Sequence, residues 1–161
     1  MKGITGLMTL LLIGAGCGAS HDRSASRTST KIQTTSTTTR TRAICTTPTR
    51  FGLGGAPNEL RGESNDALLW GLALGPGHVP PRIGNELKII WRMTGHGPLR
   101  ISFIAPDGRQ QPLLFGPEAH SASSYRRPGD EWGTGFRFVS YGCWHIHFAR
   151  TDSSADVWID I

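Results

Sequence analysis

The stretch Gly142-Cys143-Trp144-His145-Ile146-His147-Phe148 constrains the fold more than any other part of the chain. Its side chains alternate in character, and in a β-strand successive side chains point to opposite faces. Trp144, Ile146 and Phe148 therefore share one face, and Cys143, His145 and His147 share the other. The first face has the makings of a core. The second carries a thiol and the chain's His-x-His pair. Antiparallel sheets, with one dry and one wet side, accommodate such a strand.

The same period of two recurs along the chain. Leu87, Ile89, Trp91 and Met93 alternate with Lys88, Ile90 and Arg92, and Leu99, Ile101 and Phe103 alternate with Arg100 and Ser102. Phe136 and Phe138 flank Arg137, and Ala155, Val157, Ile159 and Ile161 alternate with Asp156, Trp158 and Asp160. Residues 67–74 are nearly all apolar and read as a buried strand, a short helix being the alternative for such a run. Trp70, Trp91 and Trp144 are expected in the core. Residues 58–66 read as a polar turn and 111–115 as a short edge strand. Residues 116–134 read as a long polar loop with Trp132 near its tip. With 21 Gly, ten Pro and no long helical pattern, about six to eight short strands at this spacing predict an all-β, antiparallel two-sheet sandwich over residues 43–161.

The formal net charge of +5 suggests an acidic partner until it is mapped. Beyond residue 50 there are ten Arg or Lys against eleven Asp or Glu, a net of −1, so the excess belongs to the N-terminal extension. A nucleic-acid-binding domain would carry its basic patch on the fold, and nucleic acid is not an expected partner. Residues 1–16 have the pattern of an export signal, with Lys2 ahead of a short apolar run that is too short to span a bilayer. The following Gly14-Ala15-Gly16-Cys17 resembles a bacterial lipoprotein signal, in which small residues precede a lipidated Cys; Gly14 stands where Leu is usual. That resemblance implies a lipid on Cys17, which would anchor the protein to a membrane. Ordinary secretion, with cleavage near Ala15 or Ala19, is the alternative. Residues 17–42, Ser and Thr interrupted by Arg and Lys, are expected to form a disordered tether.

Cys45, Leu69-Trp70, Gly142-Cys143-Trp144 and the closing apolar strand are similar to a group of uncharacterised bacterial lipoproteins and secreted proteins. The resemblance implies an immunoglobulin-like β domain outside the cytoplasm and carries no activity with it. In an exported chain the three Cys divide naturally, Cys17 to lipid and Cys45 to Cys143 as a disulfide. Because Cys143 and Trp144 face opposite ways, this bridge differs from the immunoglobulin core disulfide and should pin the Cys45 segment over the outer face or the hairpin mouth.

His145 and His147 lie about 7 Å apart on one face, a spacing that suits one metal ion if Asp156, Asp160 or a loop His supplies further ligands. The competing reading is a polar strand face on which the two imidazoles pair across to acids. Trp132 and Trp158 are candidates for stacking a sugar ring or anchoring a partner, against the favoured reading of a loop Trp tucked onto the sandwich. Neither a nucleophile motif nor a phosphate-binding Gly loop is present, and no cofactor is expected. The sequence thus favours a non-enzymatic envelope module that binds protein or glycan or is structural. The alternative is a metal-binding or metal-dependent hydrolytic site on the His145/His147 face.

Overall fold

A computed structural model describes residues 44–75, 79–121 and 123–161. The expected signal peptide, the tether, Cys17 and the His78 loop lie outside the described residues. Among the described residues, nine strands form two antiparallel sheets: β1 (Glu59–Arg61), β2 (Leu69–Leu74), β3 (Glu86–Met93), β4 (Arg100–Ile104), β5 (Gln110–Gln111), β6 (Phe115–His120), β7 (Asp130–Arg137), β8 (Cys143–Ala149) and β9 (Ser154–Asp160). The first sheet runs β1-β2-β3-β7-β6 and the second β5-β4-β8-β9. Without the short strands β1 and β5, the orders β2-β3-β7-β6 and β4-β8-β9 match the two sheets of an immunoglobulin constant-type domain. The expected immunoglobulin-like sandwich is therefore the fold.

Alternation places the core where the sequence put it. Leu87, Ile89, Trp91 and Met93 of β3 are buried against Trp144, Ile146 and Phe148 of β8 and Val157 and Ile159 of β9. Aromatic rings join the layers: Trp91 lies 4.5 Å from Phe148, and Phe103 stacks on Trp144 at 4.7 Å. The two fully buried indole N–H groups find acceptors, Trp91 donating to Thr134 Oγ1 at 2.8 Å and Trp144 to the Ser140 carbonyl at 2.9 Å. Gly71 leaves room for Trp91, since a Cβ there would meet its ring at 2.5 Å.

Cys143 faces outward from β8 and bonds Cys45, 98 residues away, with a Cα–Cα distance of 4.8 Å. The bridge lies outside the aromatic core, as the opposition of Cys143 and Trp144 requires. It brings the N-terminal segment alongside β9. There Thr49 N–H donates to the Trp158 carbonyl at 2.7 Å, and Trp158 N–H donates to Thr49 Oγ1 at 3.0 Å. Two residues beyond β1, Glu63 exchanges both backbone hydrogen bonds with Asp156 at 2.8 Å. Edge strands invite unwanted pairing; these contacts occupy the outer edge of β9 and tie the two sheets together.

Four expectations are corrected. The loop predicted over 116–134 contains β6 and β7, and only residues 121–129 connect them. Strand β7 escapes a period-of-two reading because it is covered on both faces. Trp132, Thr134 and Phe136 alternate with Gly133 and Gly135, and these glycines lie beneath His120 and Phe115. Trp132 is thus a buried strand residue under the Arg150 guanidinium, 4.7 Å from its ring. Trp70, expected in the core, faces outward, because Leu69, Gly71 and Ala73 occupy the inner positions of β2. Residues 58–66 contain β1. The strand expected over 111–115 divides: β5 pairs with β4, and Phe115 opens β6 in the other sheet.

Closing a loop of this length contributes up to about 4.7 kcal/mol in the chain-entropy model. Cys45→Ala should therefore lower the melting temperature by on the order of 10 °C while keeping the β-type circular dichroism. Cys143→Ala and the double variant should fall by the same amount. Unchanged melting in either single variant would refute a stabilising bridge.

Candidate functional site

The two outer faces of the sandwich differ. Residues 123–129 lie over the first sheet and are fastened largely by charges. Glu59, only 2 % exposed, accepts hydrogen bonds from Arg127 Nε and Nη2, both at 2.6 Å, and from the Tyr125 hydroxyl at 2.8 Å. Arg127 also sits 4.6 Å over the ring of Trp70. The Arg127 hydrogen bond outweighs burial and holds the Glu59 carboxyl below its ordinary range, with Tyr125 adding to it. Glu131 accepts from Arg92 at 3.2 Å and Ser123 at 2.5 Å. A cleft of about 650 Å³ opens beside this loop, but its charges are matched internally, Arg92 with Glu131 and Asp130 with Arg150.

The outer face of the second sheet presents a different set. Pairing of β8 with β9 puts His147 opposite Asp156 and His145 opposite Trp158. Asp156 Oδ1 accepts from His145 Nε2 at 2.6 Å and from His147 Nδ1 at 2.8 Å. Burial would raise the Asp156 carboxyl, but the two imidazole hydrogen bonds together keep it below its ordinary value. Trp158 lies flat on His145, with ring centroids 3.8 Å apart and planes at 6°. The side chains of His145, His147 and Asp156 are 22 %, 38 % and 36 % exposed, so the cluster is reachable from solvent. A groove of about 360 Å³ adjoins it, lined by Ile44, Cys45, Glu63, Cys143 and Trp158.

This arrangement decides among the residues singled out by sequence. His145 and His147 meet at Asp156, while Asp160 lies opposite Cys143, further along β9. His96 pairs with Asp152 in a separate turn, and His120 ends β6. None of these three joins the cluster. Of the two candidate aromatics, Trp132 is buried and Trp158 stays at the surface with one ring face covered by His145. Ser102 on β4 stands opposite His147, so Ser102, His147 and Asp156 form a row with the residue types of a hydrolytic triad. His147 bonds Asp156, but no hydrogen bond joins it to Ser102, so the nucleophile–base contact is missing from the row. Glu59, Arg127 and the buried Arg150 escaped the sequence reading, because their partners lie at distant positions that no local spacing reveals.

No family model, no curated protein and no solved structure matches this chain.

The Glu59–Arg127 pair yields a pH test. Arg127→Ala leaves the buried Glu59 carboxylate without its cation, so it should lower the urea midpoint clearly at pH 7. A carboxyl held low in the fold contributes its full stability above the unfolded value of about 4.3 and loses it as pH falls through the folded value. The gap between wild type and Arg127→Ala should therefore narrow below about pH 4. Urea titrations at pH 7 and pH 3 measure it, and an undiminished gap at pH 3 would exclude this role for Glu59.

Proposed function

We propose that the chain is a non-enzymatic extracytoplasmic module, carried on a Ser/Thr-rich tether from a lipidated Cys17, that presents the outer face of the second sheet to an envelope protein or glycan. The observation that carries the reading is the Cys45–Cys143 disulfide. It joins the first residues after the tether to the penultimate strand, and a bridge of this kind persists in oxidising compartments. It also lets a domain hang from its N-terminus without that terminus fraying.

The unlike outer faces support the direction of presentation. Over the first sheet, residues 123–129 are fastened by Glu59 and Glu131. The second sheet keeps Trp158 and a shallow groove beside it. An aromatic ring next to polar groups is a common anchor for a partner. The missing Ser102–His147 contact favours binding over acyl transfer. The likeness to uncharacterised lipoproteins and secreted proteins, on Cys45, Leu69-Trp70 and Gly142-Cys143-Trp144, agrees with this location.

Cell fractionation tests the tether. Wild-type protein should sediment with membranes and partition into detergent, and Cys17→Ser should move it to the soluble fraction. A single lipid chain alone binds only reversibly, so partial release of wild type by washing still fits. Wild-type protein found wholly soluble would end the lipid-anchor reading, and reduced Cys45 and Cys143 in freshly trapped cells would end the export reading.

A further inference from the structure

We propose that His145, His147 and Asp156 bind one divalent late transition-metal ion, zinc or copper, on the outer face of the second sheet. The site stands independently of the export and partner reading, because it rests on strand pairing alone. Its three candidate ligand atoms, His145 Nε2, His147 Nδ1 and Asp156 Oδ1, all lie within 4.8 Å of one another. Two of them come from alternate positions of β8 and the third from the residue directly opposite on β9. A single carboxylate oxygen receives both imidazoles, so all three point at a common centre.

Ligand type selects the ion. Calcium and magnesium take oxygen ligands, whereas two imidazoles with one carboxylate suit zinc and copper. Three protein ligands leave a fourth position, which faces solvent and is open to water. In tetrahedral geometry, ligand atoms at about 2.1 Å from the ion stand about 3.4 Å from each other. The present separations are 2.6 and 2.8 Å, so Asp156 has to withdraw by roughly 0.6 to 0.8 Å to admit an ion. A half-exposed side chain can make that move. On binding, the proton on each ring nitrogen facing Asp156 is released to solvent, and the neutral imidazole carries its single proton on the nitrogen turned away, taking it up from solvent where that nitrogen had none.

The surroundings hold the ligands in place. Trp158 packs flat on His145 and fixes the ring plane. Strand β8 is flanked by β4 and β9, and the Thr49 and Glu63 hydrogen bonds hold β9. Ligands on braced strands lose less freedom on binding than ligands on loops. Glu63 sits beside Asp156 in an antiparallel bridge that puts its side chain on the same face, adding negative charge next to a cation.

The test uses the full chain, purified without a polyhistidine tag and stripped with a chelator. Zinc is then titrated against a chromophoric competitor. One equivalent should bind with micromolar or tighter affinity, and His145→Ala/His147→Ala should weaken binding at least a hundredfold. Cooperative melting and an intact Cys45–Cys143 bridge check that the variant is folded. Asp156→Asn, which keeps the side-chain shape, should weaken binding at least tenfold and serves if the double variant is unfolded. Copper adds a readout that does not depend on affinity: electron paramagnetic resonance should count two imidazole nitrogens in wild type and one in His147→Gln. Absence of saturable one-to-one zinc binding overturns the proposal. So does undiminished affinity in the folded double variant or in Asp156→Asn, or an unchanged nitrogen count in His147→Gln.

Discussion

Cys143 and Trp144 are neighbours on β8 that face opposite sides of the second sheet, and much of the structure follows from that opposition. Trp144, Ile146 and Phe148 are fully buried, while Cys143, His145 and His147 line the outside. A slip of one residue would bury two imidazoles and a thiol and expose three large apolar side chains. Each of those is worth about 1.5–3 kcal/mol when buried, and each buried imidazole would need a partner. The register is therefore strongly fixed. The interior and the surface cluster are two readings of one constraint, and the position of the disulfide is a third. A bridge at Cys143 has to lie outside the core, so aromatic rings fill the space between the sheets.

Strands were legible in the sequence where one face is dry and the other wet. β3, β4, β8 and β9 satisfy that condition, and their inward residues were read correctly. β7 does not. Gly133 and Gly135, covered by His120 and Phe115, carry no side chain to mark a polar face, so a central strand looked like loop. β2 failed in the opposite sense: its nearly continuous apolar run gave no sign that Trp70 points outward. There it meets Arg127, 57 positions away and 4.6 Å from its ring, a contact that no local pattern encodes. In the cluster, the alternation of His145 and His147 was legible and Asp156 was a nameable partner. That both imidazoles converge on one oxygen depends on the β8–β9 register, which only the pairing fixes.

Buried charge is what separates the two outer faces. Glu59, Glu131 and Arg150 are all among the buried residues. Burying such groups is costly unless they are paired and hydrogen-bonded; each is paired, and Glu131 does so through Oε2 alone, its Oε1 being buried without a hydrogen-bond partner. Arg150 donates to the Met93 and Gly97 carbonyls as well as to Asp130, closing one end of the sandwich where β3 and β8 finish. Glu59 and Glu131 hold residues 123–129 down on the first sheet. The Glu59–Arg127 pair, 68 positions apart, favours one docking of loop on sheet, so the first face is committed to internal contacts.

The second face is built on different terms. Its polar groups sit on strands and bond across the ladder, from β8 to β9, so they brace the sheet locally and cover nothing. Strand β9 would ordinarily be the weak member, since an edge strand has one row of backbone groups without a ladder. The disulfide changes that. By holding Cys45 at Cys143 it brings Thr49 within hydrogen-bonding reach of Trp158, and Glu63 secures Asp156 further along. The two β9 residues bonded in this way are those that hold the imidazoles, Trp158 by stacking and Asp156 by hydrogen bonds. Cleaving the bridge would therefore loosen the outer edge of β9 before it disturbed the aromatic core, and through β9 it would reach the cluster. The cross-link that secures the domain's N-terminus thereby also governs how rigidly His145, His147 and Asp156 are held.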